Sequence, residues 1–159
     1  MTQAVAVFHA VPRRAMSSSS PQGFSLIELM ITLAIAAIIA AVAVPSYRDH
    51  MLRAHIPEAT STLSALAMRL EQHYQDNQAY GDTKGCAITL PADEFFNFEC
   101  SADNGGQSFL LKASGKSNGA MADFVFTLDQ NGNAMTTQLP AAWGTAPFNC
   151  WISKRSSTC

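Results

Sequence analysis

Gly23-Phe24-Ser25-Leu26-Ile27-Glu28-Leu29 opens an apolar stretch in which Glu28 is the only charge between Arg14 and Arg48. An ionised acid in hydrocarbon costs several kcal/mol, and insertion scales put a mid-span acid at roughly 2.5 to 3.5 kcal/mol. A helix that only anchored the chain would not contain it. The stretch therefore combines burial in an apolar medium with a use for one carboxylate.

Residues 29–47 hold 19 residues without a charge, close to the roughly 20 that span a bilayer as a helix. The polar segment before it, residues 1–23, ends in Met16-Ser17-Ser18-Ser19-Ser20-Pro21-Gln22-Gly23 and reads as a leader outside the fold; Met16 is a second candidate start. Arg13 and Arg14 ahead of the run put the N-terminus in the cytoplasm by the positive-inside rule, with the rest of the chain across the membrane. A secretory signal peptide is the competing reading, with Ala41-Val42-Ala43 as its cleavage site. Against it, the run is longer than an ordinary signal core, begins with an acid and continues its helical pattern past that site.

After Pro45, the apolar positions Ala59, Leu63, Leu66, Leu70 and Tyr74 recur every three or four residues, with Glu58, Arg69, Gln72, His73 and Asp76 elsewhere on the wheel. That spacing predicts an amphipathic helix to about residue 78. Started at Phe24, it would extend roughly 80 Å at 1.5 Å per residue. Pro45 and Pro57 each remove a backbone donor, so bends rather than breaks are expected there. Downstream the period becomes two, predicting strands over 95–100, 108–113, 123–129 and 133–138, with turns at Asn104-Gly105-Gly106 and Asn131-Gly132. The expectation is an α+β fold: a long N-terminal helix, its first half membrane-spanning, packed on an antiparallel β-sheet of three to four strands. Its divisions are a leader over 1–23, a transmembrane half-helix over 24–47 and a globular domain over 48–159.

From Phe24 onward there are eight basic and twelve acidic residues, a net charge of −4, which gives no global footprint for nucleic acid. Cys86, Cys100, Cys150 and Cys159 all follow the apolar run and form no C-x-x-C pair, so two disulfides in an oxidising compartment are expected rather than a zinc site. Of the three possible connectivities, proximity favours Cys86 with Cys100 and Cys150 with Cys159.

The Gly23 to Leu29 segment, the apolar helix after it and Pro45 near its end resemble the class III signal of type IV pilins. Arg53-Ala54-His55-Ile56-Pro57-Glu58-Ala59, the segment from Arg69 to Tyr74 and Cys150-Trp151 resemble PilE-like minor pilins more loosely. The resemblance implies cleavage between Gly23 and Phe24 by a membrane prepilin peptidase, which then methylates the new amino group of Phe24. It also implies that Glu28 of one subunit pairs with the Phe24 amine of another and that the partners are other pilin subunits and the inner-membrane assembly machinery; the residues themselves give no reason to expect a cofactor or metal. The subunit would sit in the inner membrane and then in the pilus. A pseudopilin of type II secretion, a DNA-receptor pilin for natural competence and an anchored module that does not polymerise are the alternatives.

The physical fit is direct. Glycine at 23 lets backbone enter a tight protease cleft, and the cation that cleavage creates needs a carboxylate, which Glu28 supplies. Other candidates are weaker. His50, His55 and His73 lie on the predicted helix, but 50 and 55 are five residues apart and so are poorly placed to share one face as metal ligands. Asp129-Gln130-Asn131-Gly132-Asn133 lacks the distal Glu of a calcium loop and reads as a hairpin turn. Asp93-Glu94 is an acid pair without a partner motif, and no Ser/His/Asp or Cys/His arrangement points to an enzyme. Lys154 and Arg155, beside Trp151, are the candidate DNA contact: two cations for phosphate and a ring for a base. The plainer reading of that loop is a solvated edge with Trp151 against the sheet.

Overall fold

The computed structural model describes residues 23–159; the leader expected ahead of Phe24, with Arg13, Arg14 and Met16, lies outside the described residues apart from Gly23. The first element is helix α1, Leu26–Asn77, unbroken through Pro45 and Pro57. It starts two residues later and ends one earlier than the sequence pattern predicts, the usual uncertainty of helix ends. The chain divides into two compact units, one ending at Ala40 and one over Ala41–Cys159, and α1 contributes to both.

In the first unit the helix is exposed at every position, including Leu29, Ile31, Leu33 and Ile35. In the second, α1 buries Ile56, Ala59, Leu63, Leu66 and Leu70, one stripe at alternating steps of three and four. Full burial of each large aliphatic chain stabilises by about 1.5 to 3 kcal/mol. Tyr74 closes the stripe half-buried, stacked on Tyr80 at 4.6 Å, and donates its hydroxyl to Gln107 Oε1 at 2.9 Å.

The stripe shares one core with a four-stranded antiparallel sheet of β3 (Phe96–Asp103), β4 (Ser108–Gly115), β5 (Val125–Asp129) and β6 (Ala134–Gln138), in the order β3-β4-β5-β6. Phe96 and Phe98 on β3 and Phe109, Leu111 and Ala113 on β4 point inward at every second residue, the period of a half-buried strand. The β3–β4 turn is Asn104–Gly106, and all three residues have positive φ. Gly106, at φ 82°, would drive an added Cβ into the carbonyl oxygen of Gly81, so only glycine fits there.

Two short strands, β1 (Gly81–Asp82) and β2 (Gly85–Cys86), form a ribbon that the sequence pattern does not predict, being too short to show a period. The Cys86–Cys100 disulfide ties it to β3, and Cys150–Cys159 closes the C-terminal loop, the connectivity that proximity favoured. Thr136, fully buried on β6, organises that loop. Its backbone pairs with Phe148, while its hydroxyl donates to the Cys150 carbonyl at 2.8 Å and accepts from the Ile152 N–H at 3.0 Å.

The Asn131-Gly132 hairpin forms as predicted. Asp129 Oδ1 accepts the N–H groups of Asn131 and Asn133, each at 2.9 Å, and Oδ2 accepts the Asn133 side-chain amide at 2.7 Å. Burial alone would raise this carboxyl, but the donated hydrogen bonds outweigh it and hold Asp129 below the usual carboxylate range. Tyr80 moves the other way. Burial, then the hydrogen bond it donates to Glu71 Oε1 at 2.8 Å, push its phenol up to about 12.

Candidate assembly site

The helix start is built by a local device. The Ser25 Oγ accepts the Glu28 N–H at 3.3 Å, and the Ser25 carbonyl accepts the Leu29 N–H at 3.2 Å. Ser25-Leu26-Ile27-Glu28 thus matches the S-x-x-E capping pattern, with Glu28 at the third helical position, where the macrodipole also favours an anion. The cap follows from local sequence spacing alone. Phe24 stands ahead of the cap, 84% exposed, and Glu28 is exposed one turn on.

Among the described residues, Gly23 has no packing reason to be glycine. Its φ is not in the left-handed region, and a Cβ built on it meets nothing within 4 Å.

The apolar surface that follows, through Ile38, Ile39, Val42 and Val44, finds no cover among the described residues. A surface of this extent on a soluble monomer is rare and marks a membrane or a protein partner. Helix α1 is long and apolar enough to cross a membrane.

The other flagged residues lie apart from the helix start in sequence, within the second unit. Asp49 is the hub: Arg155 Nη2 reaches its Oδ1 at 2.7 Å and Arg53 Nη2 its Oδ2 at 3.7 Å. Sequence reasoning missed this pair because 106 residues separate its members. Lys154 is exposed beside it in the chain, while Trp151 is half-buried and donates its indole N–H to the Thr127 carbonyl at 3.0 Å. The two cations and the ring therefore have different duties: one ion-paired, one solvated, one packed on β5. His55 sits against Phe95, ring centroids 3.6 Å apart, with Nδ1 3.3 Å from Glu58 Oε2; His73 Nδ1 is 3.1 Å from the Asn77 amide, and His50 is exposed. The three histidines are not brought together.

Two openings flank Arg48. A cleft of about 420 Å³ is lined by Val44, Pro45, Arg48, Asp49, Leu52 and Arg155. An apolar groove of about 550 Å³ adjoins it through Arg48 and Leu52 and is walled by Tyr47, Met51, His55, Phe95 and Ala120.

Residues 19–44 match the prokaryotic N-terminal methylation motif, and residues 45–123 match the family described as type IV minor pilin ComP, DNA uptake sequence receptor. A fimbrial protein of Pseudomonas aeruginosa is 32% identical over 148 residues, covering 81% of this chain and 96% of that protein. The chain belongs to the type IV pilin family. A fimbrial protein of Moraxella nonliquefaciens is 38% identical over 69 residues, which cover 43% of this chain and 45% of that protein. Matches to this and the neighbouring curated relatives span somewhat under half of their length. Among solved structures, the Neisseria meningitidis non-core minor pilin PilV is 22% identical with a TM-score of 0.48, covering 57% of this pilin and 91% of that chain.

Proposed function

We propose that this pilin is a minor structural subunit of a type IV pilus. It is made as an inner-membrane prepilin with a cytoplasmic N-terminus and a periplasmic domain. A prepilin peptidase cuts between Gly23 and Phe24 and methylates the new amine, and the inner-membrane machinery moves the subunit into a filament with other pilins. The observation that carries this reading is Glu28 one turn after Phe24, in the capped first turn of an apolar helix that finds no cover among the described residues. Cutting after Gly23 creates a cation in an apolar zone. In a filament, Glu28 of one subunit neutralises the Phe24 amine of its neighbour, and a wrong register leaves both charges unpaired. Pro45 and Pro57 serve as bend points in α1. The protein is substrate to the peptidase and carries out no chemistry itself.

Mass spectrometry of pili sheared from cells tests the reading. The expected N-terminal peptide begins with N-methyl-Phe24, at low stoichiometry relative to a major subunit. A mature chain beginning at Val44, or a chain absent from pili, overturns it.

A second reading, a DNA-receptor pilin, is favoured by the description of the family matched over 45–123. Lys154 and Arg155 lie beyond that stretch, and Arg155 is engaged by Asp49. Salt-sensitive DNA binding by the intact protein, lowered by Lys154→Ala, supports it.

A further inference from the structure

Arg48 is the first charge after the uncharged run of residues 29–47, and among the described residues it forms no ion pair. Its neighbours do not cancel it. The cleft is lined by two guanidinium groups, Arg48 and Arg155, against one carboxylate, Asp49, which is also shared with Arg53. Both arginines on Asp49 keep nearly half of their side-chain surface exposed, at 46% and 47%. A guanidinium holding a carboxylate through one nitrogen retains further N–H donors, which suit phosphate oxygens.

The walls are apolar, which narrows the ligand. Val44, Pro45 and Leu52 line the cleft, and Met51 and Phe95 line the groove that adjoins it through Arg48. A nucleic-acid phosphate has no hydrocarbon to place there, whereas a phospholipid carries its phosphate at the end of acyl chains. Tyr47 is 65% exposed beside Arg48, the residue type and position of the aromatic belt at a membrane–water interface. Cationic side chains just past a membrane span attract anionic lipid.

We infer that the cleft at Arg48 binds the phosphate of an anionic phospholipid, with Arg155 as the second cation and the adjoining groove covering the first part of an acyl chain. The inference rests on the membrane-anchored reading of α1. It gives the subunit a specific lipid contact, made before filament entry and released when the helix leaves the bilayer. It also gives the C-terminal disulfide loop a task, because that loop delivers Arg155.

The test uses the full chain, first offered to nanodiscs and then, in neutral detergent, to phosphatidylglycerol or phosphatidylcholine of matched acyl chains, with bound lipid counted by native mass spectrometry. Insertion into nanodiscs with preferential retention of phosphatidylglycerol is expected, and Arg48→Gln lowers that retention by about fivefold. Lys112→Gln, on β4 and paired with Glu99, leaves it unchanged. Equal retention of both lipids, or no effect of Arg48→Gln, overturns the lipid site while leaving the anchor intact. Failure to enter nanodiscs overturns the anchored reading itself. Displacement of phosphatidylglycerol by a short DNA duplex at equal concentration assigns the cleft to nucleic acid and overturns the lipid assignment.

Discussion

Asp49 and Arg155 join α1 to the last loop of the chain, with Arg155 Nη2 2.7 Å from Asp49 Oδ1 and the acid side chain only 17% exposed. Exposed ion pairs contribute about 0.2 to 1 kcal/mol. Here one member is largely covered and serves a second cation, so its loss leaves two guanidinium groups, Arg53 and Arg155, without their shared counter-charge. Asp49→Ala is therefore expected to destabilise more than Arg155→Ala, with a coupling of roughly 0.5 to 1 kcal/mol in a double-mutant cycle. Urea unfolding in detergent measures it, and strictly additive single effects show that the pair contributes nothing.

The phenol of Tyr80 sets an alkaline limit. Its folded value of about 12 lies above the ordinary value of 10, so the folded chain holds the proton more tightly than the unfolded one. The stability this supplies is complete below about pH 10. It is lost as the pH rises from there toward 12. Tyr80→Phe has no proton to lose, so its urea midpoint is expected to fall less steeply than that of the wild type between those limits. Parallel slopes count against the shift.

Asp129 works at the acid end with the opposite sign. Its carboxyl is held low by the N–H groups of the hairpin, so its contribution is present above the unfolded value of about 3.9 and is lost as the pH falls through the folded one. Asp129→Ala is expected to cost roughly 1 to 2 kcal/mol at neutral pH, the worth of hydrogen bonds to a charged acceptor. The difference from wild type shrinks in acid. A gap unchanged on moving from pH 7 to strongly acidic solution indicates a role in shape rather than charge.

The two disulfides protect different things. Cys86–Cys100 spans 14 residues and fastens the β1–β2 ribbon to the sheet. Replacing both of its cysteines by alanine is expected to lower global stability by about 2 to 3 kcal/mol. Cys150–Cys159 spans nine residues in a loop already held by Thr136. Its removal is expected to speed amide exchange after residue 152 by more than it lowers the unfolding midpoint. Equal global losses for the two pairs refute this division.

The elements with a period were legible in the sequence. The α1 stripe from Ala59 to Tyr74, the alternation of Phe96 and Phe98 and the Asn131-Gly132 turn all follow from local spacing, because burial on one face imposes that spacing. Ile56 extends the stripe by one position, hidden in sequence next to Pro57. The β1–β2 ribbon has too few residues for a period, and Thr136 is an ordinary strand residue until Cys150 and Ile152 are folded onto it. Asp49 with Arg155, and the cleft they line with Arg48, depend on tertiary return of the chain. At the helix start the situation reverses. The Ser25 cap is local and could be read directly; it engages the backbone N–H of residue 28 and leaves the carboxylate itself without a role in the cap.

The cap and the carboxylate are therefore separable by a pair of variants. Ser25→Ala removes the oxygen that accepts the Glu28 N–H and is expected to cost about 1 kcal/mol of helix stability at the first turn, with the carboxylate left in place. Glu28→Gln keeps the length and polarity of the side chain but removes its charge. If Glu28 matters mainly for the helix, the two variants have similar consequences. If it answers the Phe24 amine of a neighbour, Glu28→Gln is still cut after Gly23 but enters pili far less than Ser25→Ala, because the buried amine has lost its counter-charge. Quantifying processed chain in membranes and in sheared pili, for both variants in one strain background, separates the cases. Normal incorporation of Glu28→Gln defeats the charge-pairing account, and uncut Glu28→Gln moves the role of the acid from assembly to recognition by the peptidase.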